Sequence, residues 1–275
     1  GVRNMWEGVF TQGTYKAADI PVGVTLGLRA DMWQAFGGST STQSYNSNGT
    51  LAGNGTVNYK NQNYATFNPR LGFNWDPVED FTLKGAIYHA YSAPGINQMY
   101  RSFYSGSGIQ MGNGNLTPET LFGQELTAQW AIVDNLRATG TFYNQFVQNT
   151  ISSTTVCGNS VNVNCQAYMS ASGYGALYNK NITSATQNLN TGNATIYGGE
   201  FTTIYTPVKN VDLNFGVTRV NAFLTSLNAQ TAQLNAANIK SSGGTPIVAT
   251  HSQLPYVQPM TLTGGGSWNM SEDVL

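Results

Sequence analysis

Tyr100, Arg101, Phe103 and Tyr104 put three aromatic rings and a guanidinium within five residues. Rings stack on sugars and aromatic chelates, and a guanidinium pairs with carboxylate or phosphate, so this set suits capture of a polar, partly aromatic ligand. Packing within a loop uses the same residue types. His251 is a further candidate for the same role, although a lone histidine is more often structural than a ligand. A second set is ionisable: Arg29, Asp31, Arg70, Lys84, Glu125 and Glu200, each on the polar side of a period-two alternation. Such charges either guide a solute or pair with one another inside a wall.

Cys157 and Cys165 sit close together in a Gly/Asn/Ser-rich segment. They read as a disulfide made in an oxidising compartment, with two free thiols as the alternative. A zinc site needs more ligands than this, and His89 and His251 are distant in sequence, so no metal or cofactor is expected. Ser105-Gly106-Ser107-Gly108 lacks the lysine and the strand-to-helix setting of a phosphate cradle. Without a nucleophile elbow or paired histidines, an enzyme is the weakest class.

The elements that position these residues are strands. Charged residues are only 9% of the chain, against about 25% in soluble domains. Aromatics reach 12% and glycines number 31, which suits strands with one face in lipid. The net charge of −1 gives no footprint for nucleic acid. No run of about 18 apolar residues is present to make a membrane helix. Val22, Val24, Leu26 and Leu28 oppose Thr25, Gly27 and Arg29; Leu71, Phe73 and Trp75 oppose Arg70, Gly72 and Asn74. Phe81, Leu83, Ile87 and Tyr91 oppose Thr82, Lys84 and Tyr88, and the same grammar continues to Trp268. Short turns follow Lys16, Trp75, Ile132, Thr206 and Trp268; long loops follow Trp33, Ala93, Ile151 and Asn221. Strict alternation of short and long connections predicts an up-and-down antiparallel barrel segment of about nine strands, each about ten residues long. Trp75, Trp130, Tyr205 and Trp268 all lie beside short turns and form an expected aromatic girdle.

Four segments then resemble one family, the TonB-dependent receptors. Asn68-Pro69-Arg70-Leu71-Gly72-Phe73-Asn74-Trp75-Asp76-Pro77 resembles NPRLGLxWxP. Ala90-Tyr91-Ser92-Ala93-Pro94-Gly95-Ile96-Asn97-Gln98-Met99-Tyr100 resembles AFRAPSLNELY, with Ser92 and Gln98 where Arg and Glu are usual. Gly112-Asn113-Gly114-Asn115-Leu116-Thr117-Pro118-Glu119 resembles GNPNLKPE, and Ala194-Thr195-Ile196-Tyr197-Gly198-Gly199-Glu200 resembles ARIYGVE. The resemblance covers essentially the whole chain in order and spacing.

The resemblance implies a partial barrel over residues 1–275, part of a larger and expectedly 22-stranded barrel. An N-terminal plug domain would lie before it and the final barrel strands after it. It implies the outer membrane of a Gram-negative bacterium. It also implies energy-dependent import of a scarce ligand: a siderophore, vitamin, oligosaccharide or peptide. The implied partners are TonB with its inner-membrane motor proteins, outer-membrane lipid or lipopolysaccharide, and the ligand. The six charges would then face the lumen, and Tyr100, Arg101, Phe103, Tyr104 and His251 the outer mouth. A passive porin-like channel, a structural or adhesive barrel and a soluble β-sandwich binding module are the alternatives.

Overall fold

The computed structural model describes residues 2–46, 48–178, 182–242, 248–251, 253–254 and 257–269. Glu272-Asp273-Val274-Leu275 lies outside the described residues.

Among the described residues, nine strands form one antiparallel path: β1 (Arg3–Lys16), β2 (Val22–Phe36), β5 (Gln62–Val78), β6 (Phe81–Ser92), β9 (Glu119–Val133), β10 (Leu136–Gly158), β11 (Ser184–Val208), β12 (Val211–Leu227) and β13 (Met260–Trp268). Neighbours in the sheet are neighbours along this series, as expected for an up-and-down wall. The connections alternate between short turns at 17–21, 79–80, 134–135 and 209–210 and long excursions at 37–61, 93–118, 159–183 and 228–259. Every long excursion therefore leaves the same end of the sheet. Asn210 adopts φ 70 in the last short turn, a conformation asparagine tolerates better than most residues. β1 and β13 are the two edges of this path, so the wall is open.

The excursions carry structure of their own. Residues 37–61 hold the hairpin β3 (Ser39–Tyr45) and β4 (Leu51–Asn58), and residues 93–118 hold α1 (Ile96–Tyr100), β7 (Phe103–Ser105) and β8 (Gly108–Met111). Then come α2 (Cys165–Ala171), a short 3-10 turn (Gly175–Leu177) and α3 (Ala229–Ser242). Asn164 starts α2 by accepting from the Ala167 N–H at 2.9 Å.

The expected length of about ten residues per strand is too short. β10 and β11 run for 23 and 25 residues, and their ladder continues to Gly158↔Ser184 through ground read as loop. β-branched Thr150, Ile151, Thr154, Thr155 and Val156 keep that extension in strand conformation. A register shift between Val147 and Thr150, with Asn149 at φ 58, divides the lower wall from this extension.

The two faces follow the alternation. Register places Leu26 beside Leu71, Leu71 beside Ile87, Leu126 beside Phe142, and Phe201 beside Val217 and then Leu262. Leu26, Leu71, Phe73, Leu126, Phe142, Phe201, Leu213 and Leu262 are all exposed. A continuous apolar face of this extent has no place on a soluble monomer. The only other sheet among the described residues is β3–β4, so no second layer makes a sandwich. Tyr15, Trp75, Trp130, Tyr205 and Trp268 ring the short-turn end of the apolar face, adding Tyr15 to the expected girdle.

Buried side chains collect at the opposite end. One cluster joins Ile109, Met111, Val156, Met169, Leu177 and Leu234, with Val57 and Tyr59 against it, so all four excursions share a core. A second packs Trp33, Met99, Tyr100 and Leu116 together. The wall below has neither, because its apolar side chains point out of the sheet.

Candidate ligand-binding cleft

Pro69 shapes the site. Lacking an N–H, proline cannot donate to a ladder. β5 keeps its pairing with β2 through Leu28↔Pro69, but its ladder with β6 stops at Arg70↔Tyr88. Beyond that point β5 pairs only with β2, and β6 only with β9. Side chains bridge the gap: His89 Nδ1 meets Asn68 Oδ1 at 2.9 Å, and the Tyr64 and Tyr91 rings lie 6.1 Å apart. Across the opened seam Tyr91 meets the polar-side Tyr64 while keeping its pairing with Thr120 of β9; the alternation alone places it on the apolar face.

Along the seam, the polar face holds an open cleft of about 720 Å³. Arg29, Asp31, Arg70 and Glu125 line it, so four of the six expected wall charges come together. Lys84 and Glu200 share that face but lie outside the cleft, where Lys84 Nζ donates to Gln129 at 2.8 Å. Arg29 forms an ion pair with Asp31 at 2.6 Å, and Asp31 also accepts from Asn68 Nδ2 at 2.8 Å. With its Nδ2 committed there, Asn68 offers Oδ1 as acceptor, which puts the His89 proton on Nδ1. Arg70 and Glu125 make no hydrogen bond or ion pair among the described residues, so mutual pairing accounts for only one pair of the six charges. Trp6, Phe10, Tyr88 and Tyr91 add aromatic surface. Sequence reasoning missed Trp6, Phe10 and His89; proline inside a strand was the signal that a ladder would open here.

The five residues expected at the outer mouth do not form one group. Tyr100 is 5% exposed, packed edge-on to Tyr59 with ring centroids 5.2 Å apart, and its carbonyl accepts from Thr40 Oγ1. Tyr104 donates through its hydroxyl to the Leu177 carbonyl at 2.6 Å. Both therefore serve loop packing. Arg101 and Phe103 are exposed, with the guanidinium 4.9 Å from the ring centre. His251 stacks on Phe223, which meets Tyr197 edge-on, a separate aromatic set. Burial pushes the Tyr59, Tyr100 and Tyr174 phenols above the usual tyrosine value. A raised pKa adds stability below the unfolded value, near pH 10, and that stability is lost as pH rises beyond it.

Cys157 and Cys165 are joined, with sulfurs 2.06 Å apart, inside the larger loop cluster. Closing so short a loop contributes about 2–3 kcal/mol. Cys157→Ser with Cys165→Ser is expected to speed hydrogen exchange across residues 157–177 and leave the strands below Val147 unchanged. Equal acceleration in both regions would refute a locally acting staple.

The family described as TonB dependent receptor-like, beta-barrel matches residues 2–273. Among curated proteins, no sequence matches. Solved structures do. The ferric yersiniabactin uptake receptor FyuA from Yersinia pestis aligns with a TM-score of 0.59 at 9% identity, over 96% of this chain and 31% of that one. The ferric-catecholate import receptor Fiu from E. coli K12 aligns with a TM-score of 0.56 at 12% identity, over 98% and 33%. The Serratia marcescens hemophore receptor HasR, solved as a double mutant with its hemophore HasA and heme, aligns at 0.57 and 16%, over 79% and 34%. At such identities the likeness is one of fold, and the chain spans about a third of each receptor's length.

Proposed function

The chain belongs to the TonB-dependent receptor β-barrel family, whose members are outer-membrane barrels, and on that premise we propose that the protein containing it imports a scarce ligand across the outer membrane of a Gram-negative bacterium in a TonB-dependent way. The apolar face meets lipid and the polar face lines the lumen. The observation that carries the reading is the lumen-side cleft, where the unpaired Arg70 stands among Tyr88, Tyr91 and Trp6. A guanidinium beside aromatic rings suits an aromatic, anionic ligand. FyuA and Fiu, whose names specify ferric chelates, support a metal chelate as that ligand. Exposed Arg101 and Phe103 meet the ligand first at the outer mouth.

Accumulation of radiolabelled iron, supplied as aromatic anionic chelates, tests this in cells carrying the full-length gene with and without TonB. Uptake is expected to require TonB, and Arg70→Ala is expected to weaken chelate binding by at least about tenfold. Uptake that survives TonB loss would show a passive channel. Unaltered binding by Arg70→Ala would remove the cleft from the site.

A further inference from the structure

The apolar face carries charges in its strands, and their placement is not random. Arg3, Glu7 and Arg219 lie eight or more residues along their strands from the short-turn end, counted from Tyr15 on β1 and Val211 on β12. Val211 pairs with Trp268 of the girdle, and Arg219 pairs with Met260 eight steps later. Eight residues at about 3.4 Å each, tilted by about 35–45°, rise about 19–22 Å. This approaches the full height of the apolar band, about 25 Å. Arg219 therefore stands at the outer headgroup level, where an arginine on the lipid face costs little. Its guanidinium is exposed and has no hydrogen bond or ion pair among the described residues.

A groove of about 430 Å³ runs down the apolar face from Arg219. Leu126, Phe142, Phe201 and Val217 wall it, and Gly140 and Gly199 leave its floor bare. Gly199 lies directly across from Arg219. Neither glycine is required by its surroundings: a Cβ on Gly140 would meet nothing within 4 Å, and one on Gly199 only the Thr141 carbonyl, at 3.5 Å. Neither has a positive φ. Glycine inside a strand costs about 0.5–1 kcal/mol relative to alanine, so the chain gives up stability and gains an open channel.

We infer that this groove holds one acyl chain of an anionic outer-leaflet lipid whose phosphate is bound by Arg219. The apolar channel fits the hydrocarbon, and the unpaired cation at its upper end complements the phosphate. The inference rests on the apolar face lying in the membrane and is independent of what the barrel transports.

The test uses the full-length protein, extracted in mild detergent, stripped of lipid, and offered bisphosphorylated lipid A, its dephosphorylated form, or inorganic phosphate. Native mass spectrometry reads what is retained. Wild-type protein is expected to retain lipid A about tenfold better than the dephosphorylated form, with Arg219→Ala erasing that preference and Arg219→Lys keeping most of it. Gly199→Leu, or Gly140→Leu should the first not fold, fills the channel and is expected to lower retention of both lipids. Unheated electrophoretic mobility identifies folded barrels. Equal lipid A retention by wild type and Arg219→Ala, no effect of a folded groove-filling variant, or full competition by inorganic phosphate would each overturn the site. Passive uptake in the TonB comparison would leave the lipid result untouched.

Discussion

Leu126→Arg is expected to destabilise the intact barrel in lipid vesicles by about 2–4 kcal/mol, whereas Thr218→Arg is expected to change it by less than about 0.5 kcal/mol. Leu126 lies midway along β9 between Trp130 of the girdle and Phe122, on the exposed apolar face beside Phe142. Its replacement would place a guanidinium near the bilayer midplane, too deep for the side chain to reach headgroups. Thr218 lies on the opposite face, directly across from Glu200. An arginine there meets water and a carboxylate. Urea unfolding of both variants reads the difference. Equal costs would mean that the faces are misassigned, since a slip of one residue exchanges them throughout a strand.

That assignment was legible in the sequence because period two is a local property. Leu71, Phe73 and Trp75 against Arg70, Gly72 and Asn74 report their faces whatever they pack on, and two-residue turns such as Lys209-Asn210 mark strand ends independently. The four wall charges of the cleft were legible for the same reason. What escaped depended on contacts between segments far apart in sequence. β3 and β4 read as loop because Ser, Thr, Gly and Asn fill both faces, and their order comes from packing on residues 175–177. β8 reads as loop because it is four residues long, its local partner β7 has only three, and its other partner β11 lies in parallel 76 residues away. Tyr91 reads as an apolar-face residue from the alternation of β6, and its contact with Tyr64 depends on the seam opened beside Pro69, on a different strand. Tyr100 and Tyr104 show the same limit: an aromatic-rich loop reads alike whether its rings face a ligand or, as here, the Tyr59 ring and the Leu177 carbonyl.

The packed cap makes the largest local prediction. Gly55 of β4 lies so close to the 3-10 turn that a Cβ would stand 1.7 Å from the Ala176 carbonyl oxygen and 3.1 Å from the Leu177 nitrogen. Both atoms are backbone, so no side-chain rotation relieves the clash, and Leu177 beneath is fully buried. Gly55→Val must lift the β3–β4 hairpin off the turn, which separates Val57 and Tyr59 from the cluster around Met169 and Leu177. Overpacking of this kind costs about 1–3 kcal/mol, and here the cost falls on the cap alone. Protease cleavage and hydrogen exchange within residues 37–61 and 159–183 are expected to rise at least about tenfold, while unheated electrophoretic mobility stays that of the folded barrel. Gly13→Ala, on β1 with nothing within 4 Å of its Cβ, is the matched control and leaves both readouts unchanged. If the four excursions move independently, Gly55→Val alters residues 37–61 and leaves 159–183 as protected as in the wild type, and that outcome would refute a shared core. A cap held together by this core presents Arg101 and Phe103 from a fixed surface, so chelate capture should weaken in Gly55→Val although neither residue is changed.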